Sequence, residues 1–402
     1  MRLQQIPVAT QVAVFFALFG AGMWASKMAH PLYFEEAGQL GAFGAGYAVM
    51  AVVGGLSFAW GKVADTMGGL RAARLGLLLY AIGIAGRIFA NFPAAVVSSA
   101  VAGAGASLVI VAVRPWVRSV ASDDEIPRVV AARNAGNQSG VLIGSLGAGL
   151  LLALPVAYHD RLQLTLLVAP AIVLLGWVWL SVVARTNAST SPPRADASTD
   201  ERTRAPRGLS VRLVVIGVVS GLYISMLTPY APLILTDAGV PAWGAPLVVG
   251  ASSFIQLGVS WALSRRPLQE RSAYRSFVVA EIVAGAATLG IAASLGMPYW
   301  VIVFLYFMRA GLVSLAVIAE ELIQYLIIPA ASMGVVFGLS QTAFLSGDAL
   351  GGLLGATLWQ HGGAQALVLT AGVLTLVNAA LVAGLLRAPL RQRKAAVVET
   401  ST

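Results

Sequence analysis

Twelve times along the chain the sequence rises into an apolar run of spanning length, near 8–34, 42–61, 72–91, 94–116, 129–154, 162–184, 211–235, 242–264, 275–296, 299–328, 332–358 and 364–386. About twenty apolar residues in a helix cover about 30 Å, the hydrocarbon thickness of a bilayer. Inside lipid every backbone N–H and C=O needs an internal partner, so such a run folds as a spanning helix. A barrel would show shorter segments alternating apolar and polar. No such alternation is present. The expected fold is all-α and integral to the membrane, with twelve transmembrane helices.

Composition agrees. Of 402 residues, 58% are hydrophobic and only 11% charged, too few charges to clothe a water-facing surface, so a water-soluble enzyme is excluded. The 43 glycines suit helices that pack backbone against backbone in lipid. There are no cysteines, and His30, His159 and His361 are scattered. No metal site or cofactor is expected. A net charge of +9 would suggest nucleic acid as a partner of a soluble protein. Here the basic residues concentrate in short segments between runs, so the bilayer is the expected partner and nucleic acid is not.

Counting Lys and Arg by side orients the chain. Arg161 stands alone in the odd-to-even connections, whereas Lys62, Arg71, Arg74, Arg118, Arg128, Arg265, Arg266, Arg275 and the 185–212 cluster lie on the other side. The positive side is cytoplasmic, which puts both termini there. The first run has no short core followed by a cleavage site, so it is expected to remain as a helix.

Residues 186–210 form one long polar stretch, rich in Ser, Thr, Pro and both charge signs. This composition does not support a core. The expected organisation is a six-helix bundle over 1–185, a flexible cytoplasmic linker over 186–210, a second six-helix bundle over 211–390 and a cytoplasmic tail over 391–402. The halves echo each other. Pro31–Gly38 and Pro232–Gly239 share Pro, Leu, Ala, Gly and an acid 201 positions apart, and Gly144–Leu151 matches Gly347–Leu354 at an offset of 203. Repeated bundles of six helices are a transporter architecture.

The connection after the second run reads Gly61-Lys62-Val63-Ala64-Asp65-Thr66-Met67-Gly68-Gly69-Leu70-Arg71-Ala72-Ala73-Arg74. This resembles the signature of the major facilitator superfamily between its second and third helices, Gly-x-Leu-Ala-Asp-x-x-Gly followed by basic residues. Val63 replaces Leu, and the basic pair is displaced to Arg71 and Arg74. The resemblance covers essentially the whole chain. It implies the two-bundle fold of that superfamily, alternating access around a site near the bilayer midplane, and a cytoplasmic gate. In the gate, Asp65 would meet the start of the eleventh helix near Ser332 and Met333. Gly61 and Gly68 are read as allowing close helix approach. Arg71, Arg74, Arg114 and Arg118 join the gate, with positive-inside anchoring the alternative for Arg114. Two features of proton-coupled drug antiporters of the superfamily are missing: Ser99 stands where their fourth-helix arginine would precede Gly103, and no Gly-Pro pair occurs between Gly144 and Gly149.

No phosphate-binding loop occurs, so energy is expected from an ion or solute gradient. Candidates for substrate or proton coupling are ionisable groups within the runs, where charge is costly: Lys27, His30, Arg87, Arg309, Glu320 and Asp348. Lys27 and Arg87 have snorkelling to the interface as the alternative, and Glu320 has capping of a helix end. Arg309 and Glu320, eleven positions apart, share a helix face. Tyr223, Gln256, Tyr306, Gln341 and Phe344 are expected to line the cavity, with Tyr230 as a further apolar wall. Basic groups outnumber deep acids, which points to an anionic or zwitterionic small molecule. The overall expectation is a monomeric secondary transporter of the inner membrane exporting a small organic solute, with protons as coupling ion. The alternatives are an uptake carrier and a non-transporting sensor or lipid-handling protein on the same fold.

Overall fold

A computed structural model of the protein describes residues 6–121, 126–187, 207–265, 268, 270–328 and 333–387. The described backbone is helical throughout, with no strand among the described residues. The helices are α1 (Val8–Glu36), α2 (Leu40–Gly55), α3 (Ser57–Met67), α4 (Gly69–Ala85), α5 (Phe92–Val120), α6 (Ile126–Leu152), α7 (Tyr158–Asn187), α8 (Arg207–Leu227), α9 (Ala231–Asp237), α10 (Gly244–Arg265), α11 (Glu270–Ala293), α12 (Tyr299–Ile327) and α13 (Met333–Leu385). A 3-10 turn, Gly86–Ile88, follows α4.

Nine helices among the described residues are long and apolar enough to cross a membrane. The full set of twelve crossings follows from three local features. The second crossing is broken at Leu56 into α2 and α3. Asn137 and Gln138 keep α6 less apolar than its neighbours, although its 27 residues are ample in length. Helix α13 is continuous over 53 residues but reverses at Gly363, whose φ of 62° and ψ of −164° are not helical, so it makes two passes. Apolar side chains on the outer faces are left bare, among them Leu150 at 68% and Trp300 at 64% exposure. Such faces are stable only against lipid.

The chain divides into two compact units, Met1–Ser198 with Pro241–Ala251, and Thr199–Val240 with Ser252–Thr402. Within the first, α1 lies along α6 and α7, α4 along α5 and α7, and α2 and α3 along α5. Its core is built on Phe15, Leu77, Tyr80, Leu108 and Trp116. Within the second, α8 lies along α13, and α11 along α12 and α13, around Ile216, Phe277, Ala316 and Val382. The helix ends at Asn187 and Arg207 bracket the polar stretch, and residues 188–206 and 391–402 lie outside the described residues.

The internal repeat is visible in the backbone. At the end of α1, Ala37 N donates to Tyr33 O and Gln39 N to Phe34 O; 201 residues on, Ala238 N donates to Ile234 O and Val240 N to Leu235 O. The pivots are Gly38 (φ 66°) and Gly239 (φ 90°), in the left-handed region that closes a helix C-terminus. The second echo is a packing echo. A Cβ at Gly144 would run into the Ala21 carbonyl of α1, and one at Gly347 into the Val218 carbonyl of α8. Each half therefore holds its first helix against its fifth by bringing backbone onto backbone.

Candidate functional site

In the first unit the helical turn at the end of α4 directs Arg87 inward. It is 3% exposed, and its Nη1 donates to Ser26 Oγ of α1 at 2.7 Å, while Nη2 stands 3.3 Å from Met50 Sδ of α2. Tyr47 and Tyr80 lie within reach of its field. No carboxylate partners Arg87 among the described residues, and its buried Nε has no hydrogen-bond partner. The alternative of snorkelling does not describe this guanidinium, which turns toward α1 and α2 from the 3-10 turn that begins at Gly86. One turn along α1 from Ser26, His30 is buried edge-on between Phe34 and Phe43, with ring centroids 4.7 and 4.9 Å away, and its Nε2 is also unpartnered. Lys27, half-buried, places Nζ 5.0 Å from the centre of the Trp24 ring.

In the second unit, four helices bring together a larger polar cluster. Tyr223 of α8 donates its hydroxyl to Glu281 Oε1 of α11 at 2.9 Å. Asn378 of α13 reaches Glu281 Oε2 at 3.5 Å and accepts from Ser220 Oγ at 3.3 Å. Arg309 of α12, 9% exposed, donates Nε to Thr288 Oγ1 at 3.1 Å. On the same face of α12, Glu320 accepts from Gln324 Nε2 at 3.0 Å, and Tyr306 hydrogen-bonds Ser252. Arg309 and Glu320 both act electrostatically on Tyr223, so the shared helix face is real. Glu320 stands two turns before the end of α12, inside the helix rather than capping it.

Glu281 is the residue that sequence reasoning passed over. It is the single charged side chain between Arg275 and Arg309 and is 2% exposed; a scan for isolated acids in apolar runs finds it. Two aromatic assignments change. Tyr223 is not an apolar wall but a hydrogen-bond donor to a buried carboxyl. Tyr230 is fully buried, its ring against Gly355 and its hydroxyl on Gly352 O at 2.8 Å, so it packs α13 instead of lining a cavity. Asp348, Phe344 and Gln256 are half-buried, and Gln341 is exposed.

At the gate motif, the turn between α3 and α4 is made by Gly68, with φ 81° and ψ 140°. Close helix approach falls one residue later than expected: a Cβ at Gly69 would meet Trp116 N and the Ala112 carbonyl of α5, whereas one at Gly61 meets nothing within 4 Å among the described residues. Arg71 is exposed, and Arg74 lies over the Trp177 ring at 5.3 Å. The side chains of Asp65, Arg114 and Arg118, and residue Ser332, lie outside the described residues.

Twelve crossings in two repeated halves, with ionisable groups buried on the spanning helices and no phosphate-binding loop, define a secondary transporter rather than an enzyme. Residues 12–351 match the sequence profile described as Major Facilitator Superfamily. The chain belongs to that superfamily. No curated protein matches it in sequence. Among solved structures it resembles the nucleoside transporter NupG, at 12% identity and a TM-score of 0.72, over 95% of this chain and 100% of that one. It also resembles a D-xylose-proton symporter, at 15% identity and 0.67, over 93% and 95% of the two chains. A third likeness is to the inward open conformation of the xylose transporter XylE from E. coli, at 11% identity and 0.71, over 94% of each chain. At these identities the likeness shows the fold.

Proposed function

We propose that the protein moves a small anionic or zwitterionic organic solute across the inner membrane by alternating access, coupled to protons and running in the direction of export, as a monomer with both termini cytoplasmic. The observation that carries the reading is Arg87. A guanidinium buried on a spanning helix, held by a hydroxyl and a thioether and lacking a carboxylate, is an uncompensated charge awaiting an anion. Lys27 stands on α1 one residue from its partner Ser26, and Arg309 supplies a second buried guanidinium in the other unit. Proton coupling is supported by the buried Glu281 and half-buried Glu320 carboxyls of the second unit, and one structure sharing the fold is described as a proton symporter. That description also makes uptake the specific alternative direction.

The test uses inside-out membrane vesicles with an acidic lumen, offered labelled amino acids and small carboxylates, with uridine and D-xylose as neutral comparators. Export coupled to protons accumulates an anionic or zwitterionic probe in these vesicles, and Arg87→Gln removes the accumulation. Accumulation only in right-side-out vesicles with acid outside reverses the direction. Preference for the neutral probes refutes the charge argument.

A further inference from the structure

The first unit carries a second basic site, on its outer surface. Helices α4 and α7 pack along each other, and α4 begins where α7 ends, on the side that the count of Lys and Arg makes cytoplasmic. There Arg74, Trp177, Val178, Ser181, Val182 and Arg185 line a groove of about 380 Å³, within the range of about 300–1,000 Å³ that small-molecule sites occupy. The guanidinium of Arg74 lies 5.3 Å from the centre of the Trp177 ring, and its buried Nε has no hydrogen-bond partner. Arg185 is exposed, in the last turn of α7.

Neither guanidinium is in an ion pair among the described residues. Helix α4 contains no acid, and Asp160, the acid of α7, stands in its first turn at the far end. Ser181 gives its hydroxyl hydrogen to the Trp177 carbonyl at 2.7 Å, so the two arginines are the groove's charged donors. Guanidinium forks bind phosphate oxygens well. Next to the groove the surface turns apolar. Leu174, Val178 and Val182 are exposed, and with Arg185 they follow one another at intervals of four, four and three residues, which puts all of them on one helix face. Leu174 lies about 16 Å along the axis from Arg185. A free anion would satisfy the arginines and leave this wall bare, whereas a ligand with an anionic head and a hydrocarbon tail covers both.

We propose that this groove is a binding site for an anionic phospholipid of the cytoplasmic leaflet, with its phosphodiester between Arg74 and Arg185 and an acyl chain along Trp177, Val178 and Leu174. The groove has no carboxylate among its described residues to receive the ammonium of a choline or ethanolamine head, so the head is net anionic, of the phosphatidylglycerol class. Because the two arginines belong to different helices, the bound head ties the start of α4 to the end of α7. The site is separate from Arg87 and does not depend on the solute or the direction of transport.

The experiment is native mass spectrometry of the full chain released from detergent micelles, offered phosphatidylglycerol or phosphatidylcholine with identical acyl chains. Wild type retains one phosphatidylglycerol more tightly than any further copy, and more tightly than phosphatidylcholine. The double variant Arg74→Gln with Arg185→Gln weakens that first binding about thirtyfold, the weight of two basic side chains at a lipid surface. Arg212→Gln with Arg275→Gln, which removes two charges from the second unit, leaves it unchanged. Should the first double variant fail to fold, Arg185→Gln alone, a change at an exposed position, weakens binding about fivefold. Position is read separately by fluorescence: phosphatidylglycerol brominated on its acyl chains quenches the emission that Trp177→Phe removes, and brominated phosphatidylcholine quenches it less. Equal retention of the two lipids, equal losses in the two double variants, or Trp177 emission untouched by the brominated phosphatidylglycerol overturns the proposal. Displacement of the lipid by an equal concentration of glycerol 3-phosphate overturns it too, since the groove would then be a site for a free anion.

Discussion

Replacing Gly347 by alanine tests the close approach of α8 and α13 directly. The new methyl carbon would fall on the Val218 carbonyl, 2.8 Å from Val218 C and 2.9 Å from Leu222 N. Carbon prefers neighbours at about 3.5–4.0 Å, and these obstacles are backbone atoms of a packed helix, so the helices must part by about 1 Å. Overpacking of this kind costs about 1–3 kcal/mol. Alanine's advantage over glycine inside a helix offsets about 0.5–1 kcal/mol of it. Gly384→Ala on the same helix isolates that advantage, because a Cβ there meets nothing within 4 Å among the described residues. The two variants should therefore differ by about 1–3 kcal/mol, Gly347→Ala being the less stable, and Gly144→Ala should behave like Gly347→Ala. Reversible unfolding in mixed micelles measures the difference. Equal stability of the 347 and 384 variants would refute the argument that backbone proximity, and not glycine content as such, holds the first and fifth helices of each half together.

Ser26→Ala removes the charge-assisted hydrogen bond to Arg87, and should weaken stability by about 1.5–3 kcal/mol while lowering the apparent affinity for an anionic probe less than Arg87→Gln does, as read in the vesicle assay. Gly68→Ala forces a side chain into a backbone region reserved for glycine and should cost about 1–3 kcal/mol, whereas Gly61→Ala, with open space around it, should leave thermal stability unchanged or slightly raised. Tyr230→Phe removes the hydroxyl's bond to the Gly352 carbonyl, which keeps its own helical donor, a loss of about 0.5–1.5 kcal/mol by unfolding. Transport by that variant should persist, because its hydroxyl serves packing.

Periodicity and solvent decided most of the fold in advance. An apolar run of twenty residues has one stable form in lipid, so the twelve crossings were legible, as was the repeat, which resurfaces as matched helix-ending turns at Gly38 and Gly239. The family signature was legible because glycine at 68 answers a backbone requirement that no other residue meets cheaply. What the sequence left open was rotation about each helix axis. Arg87 lies near a helix end, where snorkelling and inward pairing are equally compatible with the letters; the structure has the second. Tyr223 was expected to be a wall because its partner Glu281 is 58 residues away on another helix, a proximity that only tertiary packing creates. The close approach expected of Gly68 falls to Gly69 for the same reason: which of two neighbouring glycines faces α5 is a matter of helix phase.

The reversal at Gly363 has a consequence for how the Glu281 cluster tolerates change. With helix on both sides of it, the joint contains no slack in which an added residue could be absorbed. One extra residue in the helix just after it would turn the rest of the returning pass by about 100° and advance it by about 1.5 Å, swinging the Asn378 amide away from Glu281 though neither residue had been altered. The joint is in effect a clutch that fixes the angular phase of the last crossing, and length variation at this point should be far more damaging than substitution.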